Sequence, residues 1–219
     1  MLGAQEILLE KDLNESVYMK KKGPNKQRFT HLYFDFGPYF LQEQDPGLYE
    51  DGKSMRTFIG LRNYYRIANP YIMGVELEFG WEEFYVKQTN QKTFPSAGMH
   101  KTEKLTTSNI GLTYFNRFLF TQREHALGVW LDAGIYGNLS LSSRHVIKDK
   151  TSSTSDARIH KEINKGLKYL NPWEYGLKGR LGFKRYAAVF TYRLSDWVSG
   201  TTNEYEPPRV SVGLEFGFY

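Results

Sequence analysis

The chain has 219 residues, enough for one domain with a sizeable core or one small barrel. It has no cysteine, which excludes a disulfide framework, a zinc–thiolate site, a cysteine nucleophile and a cysteine-anchored lipoprotein. The formal net charge is +5 and the sequence pI about 9.1, but the basic residues are clustered, so the total alone says little about partners.

Aromatic residues make up 16% of the chain, with 16 Tyr and 15 Phe. That is high for a soluble enzyme and is reached more easily by Tyr-rich all-β proteins. Mean hydropathy is −0.55, and no stretch approaches the ~18 apolar residues of a membrane helix. Barrel strands hide their apolar residues in alternation, so this value does not exclude a membrane.

The opening Met1-Leu2-Gly3-Ala4-Gln5-Glu6 lacks the regions of a signal peptide but resembles the small-residue end of one, so residues 1–4 read as a remnant. A basic lead-in follows, with Lys20, Lys21, Lys22, Lys26 and Arg28; Gly23-Pro24 and the lack of apolar alternation keep it out of a sheet. Residues 1–28 therefore form one segment and 29–219 the other.

From there period-two alternation dominates. Leu32, Phe34, Phe36 and Phe40 alternate with His31, Tyr33, Asp35, Gly37 and Tyr39, and Met55, Thr57, Ile59 and Leu61 with Arg56, Phe58, Gly60 and Arg62. The clearest run places Tyr71, Met73, Val75, Leu77, Phe79 and Trp81 on one face and Ile72, Gly74, Glu76, Glu78 and Gly80 on the other. Its ten residue steps at ~3.4 Å, tilted by ~45°, span roughly 24 Å, close to the apolar band of a membrane barrel. Tyr71 and Trp81 then stand at the two aromatic girdles. Further runs are Ile110 to Tyr114, Leu127 to Tyr136, Trp173 to Leu181, Ala188 to Leu194, and Val210 to Phe218. That makes about eight strands, many of them longer than the five or six residues usual in soluble sheets. A short helix is compatible with Asp156–Lys165.

The connectors alternate in length. Short ones fall near Ile67–Pro70, Thr121–His125 and Gly182–Arg185; long polar ones near Gln42–Lys53, Lys87–Lys101, Ser142–Lys165 and Asp196–Glu206. This is the sorting of periplasmic turns and extracellular loops, and an even strand count puts both termini in the periplasm. The expected fold is an all-β transmembrane antiparallel up-and-down barrel in the outer membrane of a Gram-negative bacterium.

Val210 to Tyr219 is an aromatic-rich alternating strand at the chain end and resembles the C-terminal strand by which outer-membrane proteins are recognised for assembly. Here Phe218, Phe216 and Leu214 carry the apolar face and Tyr219 falls off it. From Phe29 to Tyr219 the pattern resembles the small outer-membrane β-barrel proteins of Bacteroidetes, the PorT-like group. The resemblance implies a multi-pass barrel and is not specific to one member.

Eight strands enclose a lumen that side chains fill. The inward faces carry Asp35, Glu76, Glu78, Asp132, Glu174 and Glu215 against Arg56, Arg62, Lys178, Arg180 and Arg193. An isolated charge there would be costly, so these residues are expected to pair into a salt-bridged plug rather than an open pore. A proton or ion path along the same wall is the functional alternative.

Little else points to chemistry. His31 faces inward, and His100, His125, His145 and His160 sit in loops or turns without metal-ligand spacing. Ser142, Ser143 and His145 with Asp149 can be cast as a Ser–His–acid set of the kind lipid A deacylases use, although Ser-rich loops are usually just solvated. A second basic cluster, Arg144, Lys148, Lys150, Arg158, Lys161, Lys165 and Lys168 against Asp149, Asp156 and Glu162, could reach lipopolysaccharide phosphates. The Asn-x-Ser triplets at Asn14 and Asn138 read as chance. No aromatic platforms interleave with the cations, so no nucleic-acid partner is expected. The sequence therefore reads as a non-enzymatic barrel without cofactor or metal, structural or an accessory subunit of an envelope complex. Its partners would be outer-membrane lipids, lipopolysaccharide and envelope proteins, with Lys20–Lys22, Lys26 and Arg28 as the periplasmic docking segment. The alternatives are a narrow pore or small-solute transporter, and a membrane-embedded lipid-modifying hydrolase.

Overall fold

Alternating sequence makes strands with two chemically different faces, and such strands must find partners on both edges. The computed structural model describes residues 23–40, 48–90, 92–121, 127–150, 159–200 and 205–219. Nine antiparallel strands account for most of these: β1 Arg28–Phe40, β2 Met55–Ala68, β3 Tyr71–Tyr85, β4 Thr102–Leu119, β5 Val129–Lys150, β6 Ile159–Lys165, β7 Trp173–Phe183, β8 Tyr186–Arg193 and β9 Val210–Phe218. A three-residue 3-10 turn at Gly23–Asn25 precedes β1.

Apart from β6, each strand pairs with the next in sequence, β5 with β7, and β1 pairs with β9, so the sheet closes in a ring. Eight strands make the ring. The ninth, β6, is an outgrowth: β5 is 22 residues long, pairs with β7 over Val129–Leu139 and with β6 over Arg144–Lys150. The helix compatible with Asp156–Lys165 is therefore not formed over 159–165, because those residues complete a hairpin on the far half of β5.

The strands are strongly staggered. From Phe34 the paired positions run through Ile59, Phe79, Ile110 and Leu139 to Trp173 on β7. Traced the other way they run through Phe216 and Tyr186 to Phe183, also on β7 but ten residues further on. Eight strands with that offset tilt by roughly 40° and leave a backbone radius of about 8 Å, room for side chains and little else.

The two faces of the ring differ completely. In Leu32–Phe40, Met55–Ile67, Tyr71–Trp81, Ile110–Phe118, Val129–Leu141, Trp173–Phe183, Tyr186–Leu194 and Val210–Phe218, every second residue points outward and none of these is charged. Leu77, Leu112 and Ile135 are 54%, 61% and 59% exposed. Several polar outward positions bond to one another: Tyr71 and Tyr114 both donate to Asn116 Oδ1, at 2.6 and 3.2 Å, and Asn63 donates to Thr30.

Inside, two apolar plugs lie at opposite ends. One, at the long-connector end, gathers Tyr39, Tyr49, Phe84, Leu105, Leu170 and Trp197; the other, at the short-turn end, gathers Tyr64, Ile72, Phe115, Leu119 and Trp130. Inward aromatic rings lie flat against glycines of neighbouring strands. The Tyr33 ring occupies the place a Cβ at Gly60 would take, and Trp130 does the same at Gly182.

Candidate functional site

All eleven inward charges singled out from the sequence are buried inside the ring: Asp35, Arg56, Arg62, Glu76, Glu78, Asp132, Glu174, Lys178, Arg180, Arg193 and Glu215. Between the plugs, most of them form one network. Arg62 grips Glu215 with two nitrogens at 2.7 and 2.8 Å and reaches Glu76 at 2.6 Å. Arg180 contacts the same two carboxylates at 3.0 and 2.6 Å and Asp132 at 3.3 Å. Lys178 lies 2.7 Å from Glu78 and 3.4 Å from Asp35, and Arg56 lies 3.5 Å from Asp35. Tyr33 and Thr113 donate to Glu76 and Glu78 at 2.9 and 2.8 Å.

Arg117, which the sequence reading did not include, completes the set with a two-nitrogen grip on Asp132 at 2.7 and 2.8 Å. Counting it, five cations face five carboxylates, each within 4 Å of an opposite charge. Such bidentate, charge-assisted bonds are strong and orientationally strict. Arg117 was findable, because alternation from Asn109 through Thr113 continues to Phe115 and Arg117.

Nearer the long connectors, Glu82 accepts from Tyr39 and from Asn109, and Glu174 accepts from Asn138 at 3.3 Å. Asn138 is thereby an interior residue, which removes its Asn-x-Ser triplet as a modification site. Arg193 donates to Glu206 and to the Pro207 carbonyl, while Glu206 accepts from the backbone of Trp197 and Val198 at 2.7 and 2.8 Å. This ties Trp197 and Val198 to Glu206 at the long-connector end, with Trp197 in the plug.

A second polar cluster lies outside the central network, on the overhanging parts of β4 and β5 and the connector before β4. Buried Glu103 accepts from Ser96 at 2.8 Å and Gln88 at 3.2 Å, faces His145 Nε2 at 2.6 Å, and is bonded by Lys92. Burial pushes its carboxyl up, but the bonds from His145, Lys92, Ser96 and Gln88 outweigh this and bring it down to about 2. Ser96 Oγ also lies 3.1 Å from His100 Nε2, and His100 Nδ1 lies 2.9 and 3.1 Å from the two oxygens of Asp149. That contact lowers the exposed Asp149 carboxyl.

The serine–histidine–acid set cast from the sequence is not assembled. His145 faces Glu103 instead of Asp149, and Ser143 Oγ accepts from the Leu167 backbone. The cause is a register shift at Ser108/Asn109, where Ser108 faces Ser142 but Asn109 faces Ser140, leaving Leu141 as an extra residue on β5. The bulge reverses which side of β5 points inward, so His145 turns in beside Glu103 and Asp149 falls on the side of His100.

Of the two basic clusters, Lys26 and Arg28 are exposed at the short-turn end, while Lys20, Lys21 and Lys22 lie outside the described residues. Arg144, Lys161, Lys165 and Lys168 are exposed on or beside the β5–β6 hairpin; Arg158 and Asp156 lie outside the described residues. Among the described residues, no group of three or more His, Asp and Glu could hold a metal ion. No family model and no curated protein matches the chain.

Proposed function

We propose that the chain is an integral outer-membrane β-barrel protein with a sealed interior, non-enzymatic in its barrel and serving as a structural or accessory subunit at the cell envelope. The supporting observation is the inversion of the usual arrangement: the exposed face of the ring is uncharged and rich in Leu, Ile, Phe and Tyr, while the paired charges are inside. Water disfavours such a surface; hydrocarbon favours it. From Tyr71 to Trp81 the band is roughly 25 Å tall at a 40° tilt, the thickness of a bilayer's apolar core. The spanning segments on this reading are about residues 30–40, 55–67, 71–81, 108–118, 129–141, 173–183, 186–194 and 210–218. The resemblance to PorT-like barrels belongs to the same proposal.

The protein should fractionate with outer membranes, resist carbonate extraction and migrate faster on gels before heating than after. Recovery in a detergent-free soluble fraction would overturn the reading.

The closed state follows from the apolar plugs and the 8 Å radius. Planar-bilayer recordings should show no sustained conductance. Discrete ion-selective steps that change on Arg62→Ala would favour the pore instead. The short-turn end carries exposed Lys26, Arg28, Lys184 and Arg185 and, among the described residues, no exposed Asp or Glu side chain. This supports that end as the side meeting anionic headgroups or an acidic partner.

A further inference from the structure

The connector before β4 carries the atoms of a nucleophilic site. We propose that Ser96, His100 and Asp149 form a serine-hydrolase centre on the outer rim of the ring, acting on hydrated carboxylic esters. The meeting of these side chains does not rest on the membrane reading, since they would meet in a soluble ring too; the hydrated position of the substrate does rest on it.

The geometry sets the roles. Asp149 faces His100 Nδ1 at 2.9 Å, so in the neutral ring the proton is held at Nδ1 and Nε2 keeps a lone pair. That lone pair lies 3.1 Å from Ser96 Oγ. A hydroxyl, an imidazole and a carboxylate in that order are what activation of a serine requires. The His100 backbone N–H donates to Gln88 at 2.8 Å and the Lys101 N–H to Asp149, fixing the segment that holds the imidazole.

Ser96 has a second acceptor in Glu103 at 2.8 Å. That carboxylate is already bonded by Lys92, Gln88 and His145, which leaves it a weak base. His100 is the competent proton acceptor, and Glu103 orients the hydroxyl until substrate arrives.

The substrate class follows from position. Thr102, next to the site, lies six residues beyond Ser108, roughly 15 Å past the apolar band at the strand tilt, so the ester must stand in water.

In the first half-reaction Ser96 Oγ bonds to the ester carbon and its proton passes to His100 Nε2. The adduct collapses with cleavage of the carbon–oxygen bond, and His100 returns the proton to the leaving alcohol. Water then attacks the acyl-serine, gives a proton to Nε2, and releases the carboxylic acid as Ser96 recovers its proton. Asp149 is a positioning residue throughout.

The test uses the full chain folded in detergent, with retained heat-modifiable migration as the check on each variant. A fluorophosphonate probe should give an adduct that peptide mass spectrometry places on Ser96, absent in Ser96→Ala. p-Nitrophenyl acetate hydrolysis should fall ~100-fold or more in His100→Ala. Asp149→Asn should lower the rate and shift its pH profile. The chain has no cysteine, so Ser96→Cys creates a single thiol. Its alkylation by iodoacetamide near neutral pH should be at least tenfold faster than in Ser96→Cys/His100→Ala. An absent adduct, an adduct on another serine, or a thiol indifferent to His100 would each overturn the proposal.

Discussion

Glu76→Ala should be among the most damaging single substitutions in this chain, costing about 3–5 kcal/mol. Glu76 is fully buried and compensates Arg62 and Arg180 at 2.6 Å each, with Lys178 3.7 Å away. Removing it leaves three cations sharing fewer carboxylates in an interior that water does not reach. The loss comes mainly from the cations left behind, so the pair of changes Arg62→Met and Glu76→Leu should be much milder than Glu76→Ala. Urea titrations of the protein folded in lipid vesicles measure both. If Glu76→Ala unfolds at the wild-type urea concentration, the interior is wet and the network is solvated.

Leu77→Arg should cost ~2–4 kcal/mol in a bilayer, because an arginine at mid-membrane depth must drag its charge through hydrocarbon. Leu77 faces outward near the middle of β3, level with Leu61 and Leu112 on the flanking strands. The same substitution at Tyr71, at the edge of the band, should cost ~0–1 kcal/mol. A depth profile of Arg substitutions along Tyr71, Met73, Val75, Leu77, Phe79 and Trp81, read by vesicle unfolding, should therefore peak at the centre. A flat profile would mean that this face meets water or protein rather than lipid.

Much of the ring could be read from the sequence because one physical rule covers it. Where one face is apolar and the other polar, side-chain direction has period two, and β3 shows this from Tyr71 to Trp81 without interruption. The rule fails where both faces are polar. Residues 142–150 and 159–165 carry charge and hydroxyl groups on both sides, so they read as a long loop although they pair as a hairpin. It fails again at Leu141, where an inserted residue reverses the pattern without any local marker. The central ion pairs were legible as a set of inward charges, but their partners were not. Lys178 and Glu78 lie 100 positions apart and meet across the ring, a distance fixed by strand stagger rather than by spacing. The Ser96, His100 and Asp149 contacts were hidden for the same reason, with the added reversal at Leu141.

The pairing of β1 with β9 bears on how the molecule is made. Phe34 and Phe216 stand side by side although they are 182 residues apart in the chain (216 − 34). Until β9 is in place, β1 and β8 each present a bare edge of backbone donors and acceptors. A chain stalled or clipped before Val210 would therefore hold two unpaired edges and seven apolar outer strips, and would tend to join with other chains rather than finish alone. Loop closure over so many residues is slow relative to local hairpins. Biogenesis should accordingly depend on a holding factor that shields the nascent strands until the last one arrives, and deleting β9 should convert a folded product into aggregate rather than into a smaller stable domain.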